Sequence, residues 1–225
     1  DYTASFDNYI DLVDHVIFPS FKFADHYGKI SDKNLYLGSP KYCTQVSKSE
    51  TCKKYNLNQQ DNMALIVAPR LRDIKQIDLS LLYTWLKNMG YTLLVKTRGK
   101  DPMPANLRGD HYFEDISWYP HTTMELLSVS KFVVNFSSTV IKECVIMKKP
   151  LINFHIKPHS KPRADFLYDY SYCKELNKAI SYDELKSMIQ SLLEEDHNES
   201  FARSTKENLF DASSVSKNII DEVLK

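Results

Sequence analysis

Glycine is scarce in this sequence, with five in 225 residues. That excludes the glycine-rich phosphate loops, whose turns are built on several spaced glycines. A G-x-S-x-G elbow is also missing, so Ser137 lacks the glycine context of a hydrolase nucleophile. No apolar run approaches the ~20 residues a membrane span needs. Cys43, Cys52, Cys144 and Cys173 show no metal-ligand spacing. The 29 Lys and Arg balance the 29 Asp and Glu. A chain without basic excess has no general nucleic-acid surface, so nucleic acid is not expected as a partner.

What is present is an ordinary globular composition, 43% hydrophobic and 26% charged. Cys144 falls in an apolar stretch and is expected as a buried, reduced thiol, which fits a cytoplasmic protein. The chain begins with Asp, and is expected to be cut from a longer protein.

Residues 1–58 read as the end of a first domain or a packing arm plus linker. His15–Pro19 and Asn34–Leu37 are short strands, Phe21–Tyr27 is a short helix, and polar Thr44–Asn62 is the linker candidate. Residues 59–225 read as the main domain. Ala64–Ala68, Tyr91–Val95, Asp110–Phe113, Phe132–Val134 and Leu151–Phe154 are expected strands. Between and after them Gln76–Met89, Thr122–Val129, Thr139–Met147, Ser181–Glu195 and Ser213–Leu224 are expected helices. Ser181 and Glu184 have capping-box spacing. Short apolar strands alternating with helices imply an α/β, doubly wound, Rossmann-like parallel sheet with helices on both faces.

In such a sheet the loops after the strands share one edge, where ligands bind. That edge collects Arg70 and Arg72, then Lys96 and Arg98, then Glu114, Asp115, Trp118 and Tyr119. Ser137, Ser138 and Thr139 follow the fourth strand, and His155, Lys157 and His159 the fifth. Arg and Lys there suit a diphosphate, though strand-end loops are polar in any case. Ser137–Thr139 reads as a phosphate cradle opening a helix, with plain N-capping as the alternative. Glu143 is a carboxylate in a helix that is apolar nearly all round, so it needs a partner. A ligand hydroxyl one turn beyond the phosphates would serve; a salt bridge is the other reading. His155 and His159 have no further ligand at metal spacing, and no metal site is expected.

Glu125–Phe154, ELLSVSKFVVNFSSTVIKECVIMKKPLINF, resembles the nucleotide-binding half of two-domain GT-B glycosyltransferases. The pattern is nearest to the CDP-glycerol glycerophosphotransferase and surface-polysaccharide group, in which a D-Y-S-S turn precedes a helix and a K-P. It is also similar to UDP-N-acetylglucosamine 2-epimerases, whose S-G-G turn falls on Ser137–Thr139 and whose Glu falls on Glu143. Asn34–Tyr42, NLYLGSPKY, resembles the crossing between the two domains, and Tyr182–Leu193 the helix that follows the nucleotide site.

The resemblance implies that Ser137, Ser138, Thr139, Arg70, Arg72 and Lys96 bind the donor diphosphate. Glu143 would bind the ribose, and Trp118, Tyr119 and Pro120 the base. The function implied is the donor half of a metal-independent glycosyl- or glycerophosphotransferase making surface polysaccharide or a teichoic-acid-like polymer. Its partners would be a nucleotide-activated sugar or glycerol donor, held as substrate with no separate cofactor, and a glycan or polyol-phosphate acceptor. Peripheral membrane association would use parts not in this chain, and the acceptor-side base would belong to the first domain. Asn135 replaces the Asp of the turn, and the absence of Gly-Gly counts against epimerase chemistry. A UDP-sugar 2-epimerase-like enzyme and a non-catalytic Rossmann-like module remain the alternatives.

Overall fold

The computed structural model describes residues 12–26, 29–39, 45–71, 77–98, 102–115, 121–155, 171–176, 180–208 and 215–224. The chain divides into two compact units, Asp1–Cys43 with Ala202–Lys225, and Thr44–Phe201.

In the first unit β1 (Val16–Phe18) and β2 (Asn34–Tyr36) pair in parallel, with Val16 against Asn34. The short helix α1 (Phe21–His26) connects them, and Ser20 Oγ accepts from the Phe23 N–H at 3.3 Å. Two three-residue strands cover little surface. Leu12, Phe21 and Ile30 are each more than half exposed.

The second unit opens with α2 (Lys48–Tyr55), a helix inside the stretch expected as a linker. Its sequence KSETCKKY is almost wholly polar, and within it only Thr51 and Cys52 are buried. Lys54 and Tyr55 fasten it to Glu125, with Lys54 Nζ 2.8 Å and Tyr55 Oη 2.5 Å from the carboxylate.

Then follow β3 (Met63–Val67), α3 (Leu79–Asn88), β4 (Thr92–Arg98), β5 (His111–Asp115), α4 (His121–Val129) and β6 (Phe132–Asn135). After these come α5 (Ile141–Ile146), β7 (Leu151–Phe154), β8 (Cys173–Leu176), α6 (Tyr182–Glu194) and α7 (Asn198–Asn208); α8 (Val215–Val223) lies in the first unit. The six strands β3 to β8 form one sheet in the order β5-β4-β3-β6-β7-β8, with every pairing parallel.

Alternation along each strand divides the core. Ala64, Ile66, Leu93, Val95, Phe132, Val134 and Ile152 turn to one face. There they meet Leu79, Leu82 and Leu86 of α3 and Leu185, Ile189 and Leu192 of α6. Trp85 and Tyr182 make an edge contact between these helices, with centroids 6.0 Å apart. Leu65, Leu94, Val133 and Leu151 point the other way and are fully buried, as are Leu126 and Leu127 of α4 and Ile141 and Cys144 of α5. Each such side chain contributes about 1.5–3 kcal/mol on leaving water. Both faces are therefore closed, and polar groups collect at the strand ends.

Several boundaries differ from the sequence expectation. β4 runs on through Lys96 and Arg98, because its pairing with β5 continues to Arg98 against Asp115. The helix expected from Thr139 begins only at Ile141 and has six residues. The strand β8 and the helix α7 were not anticipated. The capping box of α6 is present: the Ser181 side chain accepts from Glu184 N–H, and the Glu184 carboxylate accepts from Ser181 N–H.

Candidate functional site

Counted within the second unit, the strand order is 3-2-1-4-5-6, the Rossmann order. The chain leaves β3 toward one edge of the sheet and leaves β6 toward the other. Ligands of such sheets bind at the carboxyl ends where the direction reverses. Here that is the space above Val67 and Asn135, which pair directly. The residues bordering it are Ala68-Pro69-Arg70 and the turn Phe136–Val140.

Two buried amides shape this turn. Asn135 and Asn153 face each other on β6 and β7 and are fully buried. Asn135 Nδ2 donates to Asn153 Oδ1 at 2.8 Å and to the Ser138 carbonyl at 3.1 Å. Asn135 Oδ1 accepts from Ser138 N–H at 3.3 Å. Asn153 Oδ1 also takes the Ser137 N–H, at 3.1 Å. Ser137 Oγ donates to the Phe154 carbonyl at 3.3 Å. Held by both its N–H and its hydroxyl, Ser137 adopts φ +52°, a left-handed conformation that ordinary residues avoid.

The turn therefore works differently from a hydroxyl cap. Val140 occupies the capping position of α5 and no side chain caps the helix. The N–H groups of Ser137 and Ser138 are consumed by the two amides. Those of Thr139 and Val140 meet no acceptor among the described residues. Successive backbone donors of this kind form an anion-binding concavity.

Glu143 lies in α5 with 6% of its surface exposed. Thr139 stands in the turn and not in the helix, so burial rather than a shared helical face singles this carboxylate out. Its neighbour Cys144 is a free thiol. Burial first, and the Glu143 charge second, push that thiol well above its ordinary range, so it stays protonated.

The flanks of the edge carry charge pairs. Lys96 Nζ is 3.6 Å from Asp115 Oδ2, and each side chain is 11% exposed. The register explains the pair, since Lys96 opposes Phe113 and Asp115 lies two residues on, hence on the same face. Across the sheet His155 Nε2 lies 2.7 Å from Glu175 Oε2. Arg70 is exposed three residues beyond β3. Among the expected site residues, Ser137, Ser138, Thr139, Glu143, Arg70 and Lys96 all belong to the carboxyl-end half of the molecule just outlined. Arg72, Trp118, Tyr119 and Pro120 lie outside the described residues, as do Lys157 and His159. Asn153 was overlooked, because an Asn in an apolar strand carries no signal until its cross-strand partner is known. Glu175 sits on the unanticipated strand and was equally hidden.

No protein-family model matches this sequence, and no curated protein matches it. Solved structures do match. The wall teichoic acid polymerase TagF, in its H444N form soaked for 30 minutes with CDPG, superposes with a TM-score of 0.68 at 19% identity. That match covers 99% of this chain and 59% of TagF. This is a GT-B-like fold. The same GT-B-like arrangement is met in the ADP-heptose LPS heptosyltransferase II of E. coli, with a TM-score of 0.50 at 13% identity, over 74% of this chain and 56% of that one. A Listeria monocytogenes protein described as a UDP-N-acetylglucosamine 2-epimerase gives 0.60 at 13% identity, over 94% and 59%. The chain thus spans somewhat more than half the length of these proteins and forms the Rossmann-like half of a GT-B fold. No described helix is long and apolar enough to cross a membrane.

Proposed function

We propose that this chain holds the nucleotide-diphosphate donor of a glycosyl- or glycerophosphotransferase that builds a surface polymer. The observation that carries the reading is the turn at the sheet's reversal point, fixed by buried amides, in which the Thr139 and Val140 N–H groups meet no acceptor among the described residues. A diphosphate oxygen would accept from Thr139 and Val140, with the Ser138 and Thr139 hydroxyls beside them. Glu143 would accept from a ribose hydroxyl, and Trp118, Tyr119 and Pro120 would bracket the base. Arg70, Arg72 and Lys96 would supply positive charge. Chemically, such groups stabilise the diphosphate as it leaves, because fixed donors are already aimed where negative charge grows. The acceptor hydroxyl would attack the transferred group from the side opposite that leaving group. The soak of TagF with CDPG makes a cytidine diphosphate donor the first to test.

Calorimetry with CDP, UDP, GDP and CMP checks this. A diphosphate is expected to bind at least about tenfold more tightly than CMP, a difference of ~1.4 kcal/mol. Glu143→Ala and Ser138→Ala should each weaken the preferred ligand by about fivefold or more, the loss of one hydrogen bond to a charged group. No binding of any of the four at millimolar concentration would overturn the donor site. Unchanged affinity in both variants would move it elsewhere.

A further inference from the structure

At the other end of the sheet, the start of β8 and the start of α7 bring together a serine, a histidine and open backbone donors. His197 is 7% exposed and its Nε2 lies 2.7 Å from the Leu192 carbonyl oxygen. A carbonyl can only accept, so Nε2 carries the proton, and the ring in its neutral form presents a lone pair at Nδ1. Ser171 Oγ lies 3.2 Å from that Nδ1 and so donates its proton to it. Ser200 Oγ lies 2.8 Å from Ser171 Oγ. With the Ser171 proton committed to His197, Ser200 is the donor in that contact.

Ser171 itself is exposed, whereas its base is buried and oriented. This is the order nucleophilic catalysis requires: an accessible hydroxyl, a base in hydrogen-bond reach, and a third group fixing the base. The Leu192 carbonyl takes the place usually held by a carboxylate. Ser200 also brings the first turn of α7 against the hydroxyl. Asn198 N–H is used by Asp196 Oδ1 at 2.9 Å, and Phe201 N–H by the His197 carbonyl at 2.9 Å. The N–H groups of Glu199 and Ser200 between them meet no acceptor among the described residues. These are donors of the kind that hold an oxyanion.

We propose that Ser171 is a nucleophilic serine, served by His197, that takes the acyl group of small carboxylic esters. As Ser171 Oγ bonds to the ester carbonyl carbon, its proton passes to His197 Nδ1. The carbonyl π pair moves to the oxygen, facing the N–H groups of Glu199 and Ser200. Return of that pair breaks the bond to the alcohol oxygen, which leaves with the Nδ1 proton as the free alcohol. Water then repeats the sequence on the acyl-serine, releasing the carboxylic acid and restoring Ser171. No further reactant is needed. The site is independent of the nucleotide reading, as its residues lie at the amino end of β8.

The test is a fluorophosphonate probe on the whole chain, followed by peptide mapping, with p-nitrophenyl acetate as the ester substrate. The expected result is one label, on Ser171, lost on heat denaturation, together with ester hydrolysis slowed about a hundredfold in His197→Gln. Bonds that merely fasten β8 to α7 would leave Ser171 no more reactive than other serines. Labelling absent, spread over many serines, or equal in denatured protein therefore overturns the proposal. Mapping on the unaltered chain decides this even where a variant fails to fold.

Discussion

Asn153 shows how one side chain can set a turn it does not belong to. Its oxygen satisfies two donors, Asn135 Nδ2 and Ser137 N–H, while its own Nδ2 is buried and without a partner among the described residues. The oxygen is thus the functional atom. Asn153→Leu keeps the volume and removes the acceptor. Asn135 Nδ2 keeps its second acceptor, the Ser138 carbonyl, but Ser137 N–H loses the only one it has among the described residues. The expected cost is about 1–3 kcal/mol, reduced by removal of the unpartnered Nδ2. Urea unfolding should show a lower midpoint with an unchanged slope. A midpoint at the wild-type value would mean the turn holds itself. The departure at Asn135 also acquires a reason at this scale. Asn135 donates twice and accepts once. An Asp in its place could accept but not donate.

At the scale of elements, glycine is rare enough that its positions are informative. Gly109 (φ +66°) precedes β5 in the chain, and a Cβ there would lie 2.6 Å from Val95 Cγ2 and 3.0 Å from the Leu93 carbonyl. Gly90 (φ +85°) ends α3 with nothing within 4 Å. Gly90→Ala should cost about 1–2 kcal/mol, the left-handed penalty alone. Gly109→Ala adds overpacking against β4, about 1–3 kcal/mol more. Thermal unfolding of the two variants checks the order, and equal losses would mean the Gly109 site relaxes freely.

Legibility at this scale follows burial. β3, β6 and β7 are buried on both faces and read as continuous apolar runs, so they were recognised. The capping box of α6 is a local signal with a fixed spacing, and it was recognised too. β8, with the sequence CKEL, lies at the sheet edge with only its ends buried, and no periodicity betrays it. α2 and α7 are polar helices held by a few specific contacts, so their apolar pattern is too thin to read. The late start of α5 came from Asn153, whose pull on Ser137 is a cross-strand effect. The extension of β4 through Lys96 likewise depends on β5. Five of the six strands and the edge they share were in the sequence; the wiring among their ends required the register.

For the molecule as a whole, acid sensitivity has an identifiable contributor. Asp110 ties α3 and β4 together, accepting from Lys87 Nζ at 2.7 Å and from Leu93 N–H at 2.9 Å. Partial burial pushes its carboxyl up, but the Lys87 and Leu93 hydrogen bonds and the Lys87 charge outweigh it and hold the group below the usual range. A carboxyl depressed in the folded state adds stability above its unfolded value, near 3.9, and that share disappears as pH falls through the folded value. The wild type should therefore lose its advantage over Asp110→Asn below about pH 4. Denaturant titrations at stepped pH read this, and a constant difference from pH 6 to pH 2 would contradict it.

The position of β3 has a consequence for how the protein is made. It pairs with β4, which follows soon after, and with β6, where Ala64 meets Phe132. A ribosome delivers β3 long before β6 exists. In that interval Met63–Val67, a strand without a single charged side chain, exposes one whole edge of unpaired backbone. Unpaired apolar edges recruit other chains. The sheet order that creates a ligand crevice in the finished fold therefore also creates a window for self-association during synthesis, and that window closes only when β6 docks.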